Sequence, residues 1–513
     1  MKKVFKNRAP SPSYISPSQL TMDCFQSPFE QQLNPENRWV VLSRLMPWDD
    51  VCKLYLKNVG VSQTGRPPLS PRVILGSLII KHLCNLDDRE TASQISENIY
   101  MQYFLGYSSF SSEPPFDASL FVDFRKRLGM ENLNAINERI VSLKTILESK
   151  KNESDPPSAP DSNPSEPENK GRVIYDATAC PQNIAYPTDL DLLSEAREKT
   201  EQLIDQLYVS GLHQQKPRTY RRIARKRYLQ TAQKKNKSRK EIHKSVGSQL
   251  RFVRRNLNSI NRLLDAYPQI PLKPKQYKYL LVVNTLYYQQ KQMYDSRTHS
   301  IEDRIVSIHQ PHVRPIVRGK SQAKVEFGAK IHVSIIDGIS FLDELSWDAF
   351  NEGSHMMDYV EKYRKRFGCY PKELLADQIY CTRANRSALK EKGIKLLAKP
   401  LGRPSAVSIH VSPGERNPIE GKFGQAKTGY GLNRIKARLK DTSEAWIACI
   451  FLVLNLVKLA GAALPCLFLK VVLNFSAKHI SDGIKKNGDQ IKNQMIWSYQ
   501  IVKPYPFLLK IVA

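Results

Sequence analysis

Between Pro35 and about Glu148 the apolar positions recur with a helical period, punctuated by residues that start and stop helices. Ser70-Pro71 is one such start, with Ser as N-cap and Pro at the first helical position ahead of Val73, Ile74, Leu78 and Ile79. Asp117 or Ser119 is placed to cap a short helix through Phe121, Phe124 and Leu128, which Gly129 ends. The pattern breaks at Lys150–Lys170, where five prolines stand among Ser, Asn, Asp and Glu with too little apolar surface to fold. Arg172–Thr178 then reads as a short buried strand carrying Asp176, and from Leu190 to about Ala266 the chain turns helical and very polar. Lys324–Ile336 and Ser340–Leu345 make a strand pair turned at Asp337-Gly338, a strong hairpin signal. A helix at about His355–Phe367 follows, then a strand ending at Leu374-Leu375-Ala376-Asp377, a helix at Arg383–Lys392, a strand at Ile394–Ala398 and a helix opened by Pro418.

This order predicts an α+β multidomain chain. A loose N-terminal segment occupies residues 1–34, a helical N-terminal domain 35–149 and a Pro-rich linker 150–170. A mixed α/β domain covers 171–470, interrupted by a helical insertion at about 190–266, and a tail over 471–513 is left unassigned. The N-terminal helices fit a helix-turn-helix-like DNA-binding unit and a plain helical bundle equally well. The sequence holds no internal repeat.

Charge sharpens the picture. The chain has 513 residues, enough for two to four units, and carries 78 Lys plus Arg against 49 Asp plus Glu, a net +29. Such an excess implies a polyanionic partner, either nucleic acid or an anionic membrane surface. Lys216–Arg255 alone holds sixteen Lys or Arg with Glu241 as its single acid, and Tyr220, Tyr228 and Phe252 stand among the charges. Solvated helix faces alternate signs, whereas a one-signed run tracks phosphates. The membrane alternative is tested by Ala445–Leu469, apolar throughout but interrupted by Asn455, Lys458 and Pro465. A central Lys costs ~2.5–3.5 kcal/mol on insertion scales, so this stretch reads as a buried core helix. No apolar segment of signal-peptide type follows the basic N-terminus. The eight cysteines are scattered with no C-x-x-C pair, as for free thiols in a reducing cytoplasm.

Three acids stand out by position. Asp176 and Asp377 each terminate an apolar run, and Glu420 lies in the first turn of a helix. Taken singly, each is explained as well by a helix cap or a surface charge. Together, carboxylates at the ends of neighbouring strands converge on one cleft and hold hard divalent cations through oxygen. Arg416 is expected just outside the helix, while Glu420 and Lys427 share one face two turns apart, a spacing that an ordinary surface ion pair also satisfies. No P-loop occurs, since Gly421-Lys422 is followed by Phe423 and Lys427-Thr428 lacks the preceding glycine, so an ATPase is a poor fit.

Asp176-Ala-Thr, Ala376-Asp377 and Arg416-x3-Glu420-x6-Lys427 resemble the DDE transposases of bacterial insertion sequences. The run Ile419–Lys427 with Tyr430-Gly431-Leu432-Asn433-Arg434-Ile435 looks like the insertion-sequence-five group, as do Leu69-Ser-Pro-Arg72 and Phe116-Asp-Ala-Ser through Phe124-Arg-Lys-Arg-Leu128. The resemblance runs from about Asn34 to Lys458, apart from the linker and part of the insertion. It implies an RNase H-like catalytic core in which Asp176, Asp377 and Glu420 bind two Mg²⁺ ions, with Mn²⁺ as substitute, and perform catalysis. It further implies cleavage at element ends and strand transfer into target DNA, by an enzyme that pairs two ends as a dimer or larger assembly in the cytoplasm. The double-stranded partners would be terminal inverted repeats and target DNA. The DNA contacts expected are Arg416, Lys427 and Arg434 at the site and Arg221, Arg222, Arg225, Lys226, Arg227, Lys234 and Lys235 on the insertion. Pro413 stands where the wider superfamily has a tyrosine, which puts the local DNA contacts in question but not the acids. The rival reading is a DNA-binding protein of the same descent without catalysis.

Overall fold

The computed structural model of the chain describes residues 33–57, 69–152, 168–317, 325–398 and 413–483. The expected loose N-terminal segment, most of the Pro-rich linker and the end of the tail lie outside the described residues.

Among the described residues, six N-terminal helices open the fold: α1 (Arg38–Leu45), α2 (Trp48–Lys57), α3 (Pro71–Leu83), α4 (Asp88–Glu97), α5 (Ile99–Phe104) and α6 (Leu120–Asn152). Their starts follow the local chemistry. The side chains of Asn37, Asp87 and Asn98 accept hydrogen bonds from first-turn N–H groups, and Pro71 opens α3. Gly129, at φ 64°, breaks α6 where the sequence placed a stop. The chain resumes its helix and carries it to Asn152, three residues into the predicted linker.

The sheet is built from β1 (Arg172–Pro181), β2 (Arg314–Val317), β3 (Val325–Ile336), β4 (Ile339–Ser346), β5 (Glu373–Leu375) and β6 (Lys395–Leu397). β1 is central, antiparallel to β3 on one side and parallel to β5 on the other, with β6 parallel beyond β5. β2 and β4 both pair antiparallel with β3. The β3–β4 hairpin turns at Asp337-Gly338, both at positive φ (50° and 78°), which suits the twist of the flanking strands. Helices α11 (Met356–Phe367) and α12 (Arg383–Glu391) link β4 to β5 and β5 to β6, and α13 (Asn417–Gly429) follows. One expectation is corrected: Asp176 does not end its strand, because β1 runs on to Pro181 in continuous register with β3.

Between β1 and β2 the insertion folds into α7 (Asp189–Leu207), α8 (Arg221–Ala232), α9 (Arg239–Leu264) and α10 (Pro274–Ser296). It extends thirty residues beyond its predicted end because α10, rich in Tyr and Gln, presents only a weak apolar stripe. The insertion is more than a charged arm. Leu193, Val253, Val283 and Leu286 form a core of their own within it.

The last described helix, α14 (Lys440–Gly483), passes through the predicted boundary at residue 470. Its Lys440–Gly461 part is long and apolar enough to cross a membrane by composition, yet 67% of its most apolar window is buried inside the protein. There it packs on α1, α3, α6 and β4 at once, so the N-terminal helices and the sheet share one continuous core. The two polar interruptions have clear uses. Lys458 is exposed beside the Gly338 turn. Fully buried Asn455 accepts from the Ser340 N–H at 2.8 Å and donates to Ser340 O at 2.7 Å and Asn137 Oδ1 at 2.8 Å. Asn455→Ala should therefore leave groups on β4 and α6 unpaired and cost about 2–4 kcal/mol, read as a lowered denaturation midpoint. Asn455→Leu restores the volume but should not recover this loss.

Candidate active site

β1 and β5 are in parallel register with Ile174 opposite Leu375, and Asp176 and Asp377 each lie two residues beyond that pair. Equal offsets bring both acids to the same end of the sheet and the same face. Each carboxylate is oriented by the N–H of the next residue: Asp176 Oδ1 accepts from the Ala177 N–H and Asp377 Oδ1 from the Gln378 N–H, both at 2.8 Å. Asp377 also caps a short 3-10 turn over Gln378–Tyr380.

A single guanidinium joins them. Arg416 donates from Nη1 to Asp377 Oδ1 at 3.1 Å and from Nη2 to Asp176 Oδ2 at 3.4 Å. It closes the 3-10 turn Pro413–Arg416 and forms the N-cap of α13, outside the helix as expected. The turn is held independently, because Arg172 at the start of β1 pairs with both Glu415 and Glu373. Ile419, Phe423 and Ala426 bury one face of α13, which leaves Glu420 exposed one turn beyond Arg416. Lys427 is half-buried further along the same face. Arg434, past the end of α13, donates from Nε to Asn183 Oδ1 at 2.9 Å and so sits against the segment leaving β1.

Sequence reasoning missed Glu352. It lies in the turn Glu352–His355 after β4, packed against the turn that Asp377 caps, and pairs with Lys330 at 2.8 Å. Its only signal was Asn351 before it, whose side chain caps the turn. Behind the acids, Tyr175 is fully buried against His332, which stacks on Tyr359 at 3.5 Å between ring centroids. His332 lies 3.3 Å from Asp343, whose other oxygen accepts from Arg366 at 2.6 Å, and Arg366 reaches Glu138 on α6. Burial lowers the His332 pKa, so this layer holds a neutral ring beneath the acids.

Burial pushes the Asp176 carboxyl up to about 6, with nearby Asp377 and Glu352 adding to the rise and the Ala177 N–H and Arg416 opposing it. Such a group stabilises the fold while protonated. Its contribution is complete below about pH 4 and is lost as pH rises through about 6. Ionised Asp176 thus costs the metal-free protein about 3 kcal/mol at neutral pH. Asp176→Asn should raise the melting temperature of the metal-free protein by a few degrees at pH 7.5 and by only about a third as much at pH 4.5. An equal shift at both pH values would remove the effect assigned to Asp176.

The chemistry of this donor set suits a hard cation: two carboxylates from adjacent strands already converge on one positive group. Among the described residues, no three His, Cys, Asp or Glu side chains are close enough to enclose a metal ion, so Glu420 is near the acid pair by helix position rather than by contact.

The expected cations of the insertion divide into two sets. Arg221 and Lys234 are committed to Asp205 and Glu241 at 2.8 and 2.6 Å, and Arg227 lies over the Phe252 ring. Arg222, Arg225, Lys226 and Lys235 are exposed and make no ion pair among the described residues.

Comparison with known proteins places two family models on the chain. Residues 27–127 match a transposase domain (DUF772), and residues 374–457, which include Asp377, Arg416 and Glu420, match a transposase DDE domain. The chain is also similar to a protein of Rhizobium meliloti described as uncharacterized protein ORF8 in the nfe locus. The two are 31% identical over 183 residues, which is 35% of this chain and 79% of the relative. No solved structure matches it significantly.

Proposed function

Because this chain belongs to the DDE transposases of bacterial insertion sequences, we propose that it cuts the DNA ends of its element and joins them to target DNA at Asp176, Asp377 and Glu420. The observation that carries this reading is the convergence of Asp176 and Asp377, from adjacent parallel strands, on Arg416 one turn before Glu420. The strand order β4-β3-β1-β5-β6, with β3 antiparallel, supports the RNase H-like core that the family resemblance implies.

Asp176 and Asp377 would hold divalent magnesium or manganese, with Glu420 completing the set. Two such ions would make a water or a 3′-hydroxyl a competent nucleophile and offset charge on the departing 3′-oxygen. The chain's own residues do the rest. The β1–β5 register fixes the acids relative to each other, and Arg172 fixes the turn that carries Arg416. Lys427, two turns beyond Glu420 on α13, and Arg434, past the end of that helix, would add phosphate contacts. The face of α13 beside Glu420 carries Gly421 and Gly424, with no atom of another described residue near either, so a DNA backbone could come close to that helix. Arg222, Arg225, Lys226 and Lys235 would hold duplex by its phosphates without reading sequence. Pairing two ends calls for at least two protomers, acting on DNA in the cytoplasm.

The test uses duplexes carrying the DNA that flanks the coding region, incubated with the full chain and Mg²⁺ or Mn²⁺. Nicks at the outer edges of short inverted repeats are the expected result. Tight binding of the same duplexes with no cleavage in either metal would favour the DNA-binding protein without catalysis.

A further inference from the structure

We propose that Arg416 is the metal-free protein's own counter-cation. It is held between Asp176 and Asp377 until a divalent ion displaces it, and its release toward a DNA phosphate makes metal and DNA binding reinforce each other. The inference rests on the reading of Asp176 and Asp377 as metal ligands and adds a role for the group between them.

Two carboxylates brought to one end of a sheet repel each other unless a cation stands between them. Here that cation is a guanidinium whose two terminal nitrogens fork to different acids, at 3.1 Å on Asp377 and 3.4 Å on Asp176. The contact is well placed but incomplete. Arg416 is 22% exposed, and its Nε is buried with no hydrogen-bond partner among the described residues. An oxygen-bound Mg²⁺ sits ~2.0–2.1 Å from its ligands, so an ion drawing on the same two carboxylates competes for the space the guanidinium fills. Departure of the side chain need not disturb the backbone, because Arg172 anchors the turn through Glu415 and Ile419 anchors α13 in the core. Arg416 also lies at the start of α13, next to the exposed Glu420, where a freed guanidinium can take a phosphate in bidentate fashion. The same residue therefore serves the acids before metal arrives and the DNA afterwards.

The experiment titrates the DNA-free full chain with Mn²⁺ and compares wild type with Arg416→Gln, Arg416→Lys, Asp176→Asn and Asp377→Asn. Arg416→Gln should bind Mn²⁺ about tenfold more tightly, a gain consistent with losing two partly exposed ion pairs. Arg416→Lys keeps the charge without the fork, so it should fall between, and it serves alone should the Gln variant fail to fold. A second arm measures affinity for an element-end duplex with and without Ca²⁺. Ca²⁺ should tighten wild-type binding several-fold more than it tightens Arg416→Gln binding, since only wild type has a guanidinium to release. Unchanged or weaker Mn²⁺ binding by Arg416→Gln, or the same Ca²⁺ effect in both proteins, overturns the proposal. If Asp176→Asn and Asp377→Asn bind Mn²⁺ as wild type does, the acid-pair reading fails and takes the proposal with it. If they lose Mn²⁺ while Arg416→Gln behaves as wild type, the acids stand and only the role of Arg416 falls.

Discussion

Replacing Asp176, Asp377 or Glu420 singly by alanine is expected to reduce nicking of element-end DNA by at least ~10³-fold, the scale on which charge stabilisation in a transition state is lost. Affinity for the same duplex, measured without divalent ions, should stay within about twofold, because duplex affinity comes from Lys and Arg that neutralise phosphates. The split between the two readouts is what identifies a catalytic carboxylate. A residue needed only for folding would lower both, and the melting temperature with them. Asp176 is the clearest case, since its ionised form strains the metal-free protein and its removal should not unfold it. Asp377 is more exposed, with 57% of its side chain accessible, and its loss should be equally harmless to the fold. Glu420 is the most exacting member, because only its position one turn beyond Arg416 ties it to the pair. Full nicking by any one variant in Mg²⁺ and Mn²⁺ removes that residue from the site.

Neutralising the Lys216–Arg255 segment with glutamine is expected to flatten the salt dependence of duplex binding by roughly 4–7 units of log K per log salt. Sixteen cations lie in this segment, but a helix offers one face to one duplex, so about a third to a half would reach phosphates. The folded insertion supports that fraction. Lys216 and Arg221 share Asp205, Lys234 holds Glu241, and Arg218 and Arg255 lie over Tyr220. The remaining exposed cations include Arg222, Arg225 and Lys226 on α8 and Lys235 just after it. Because the insertion has its own apolar core, substituting surface cations should leave its helicity intact by circular dichroism. The loss should be nearly the same on unrelated duplexes, as phosphate contacts carry no sequence information. An unchanged slope would move DNA binding to the N-terminal helices.

Most of the element order was legible because its signals are local. Asp337-Gly338 marked the hairpin, Pro418 the start of α13, and Gly129 the break in α6, each through a backbone preference of the residue itself. Asp377, expected to end a strand, stands two residues past the end of β5 as the cap of the 3-10 turn Gln378–Tyr380. What escaped depended on contacts distant in sequence. Nothing local reveals that β1 continues past Asp176, because its partner in β3 lies about a hundred and fifty residues away. The bridging of both acids by Arg416 joins three separate segments, and Glu352 reaches the site only through the packing of two short turns. The two polar residues Asn455 and Lys458 were enough to argue against a membrane span. Their partners, Ser340, Asn137 and the Gly338 turn, required the fold.

The shared helix α14 has a consequence for the gene as well as for the protein. A reading frame interrupted before Lys440 deletes the spine on which both the N-terminal helices and the sheet close their core. Marginal stability cannot survive the loss of so much buried apolar surface, so the remnant is left for proteases. Decayed copies of the gene with early stops should therefore produce no folded half-protein to occupy element ends and inhibit an intact copy.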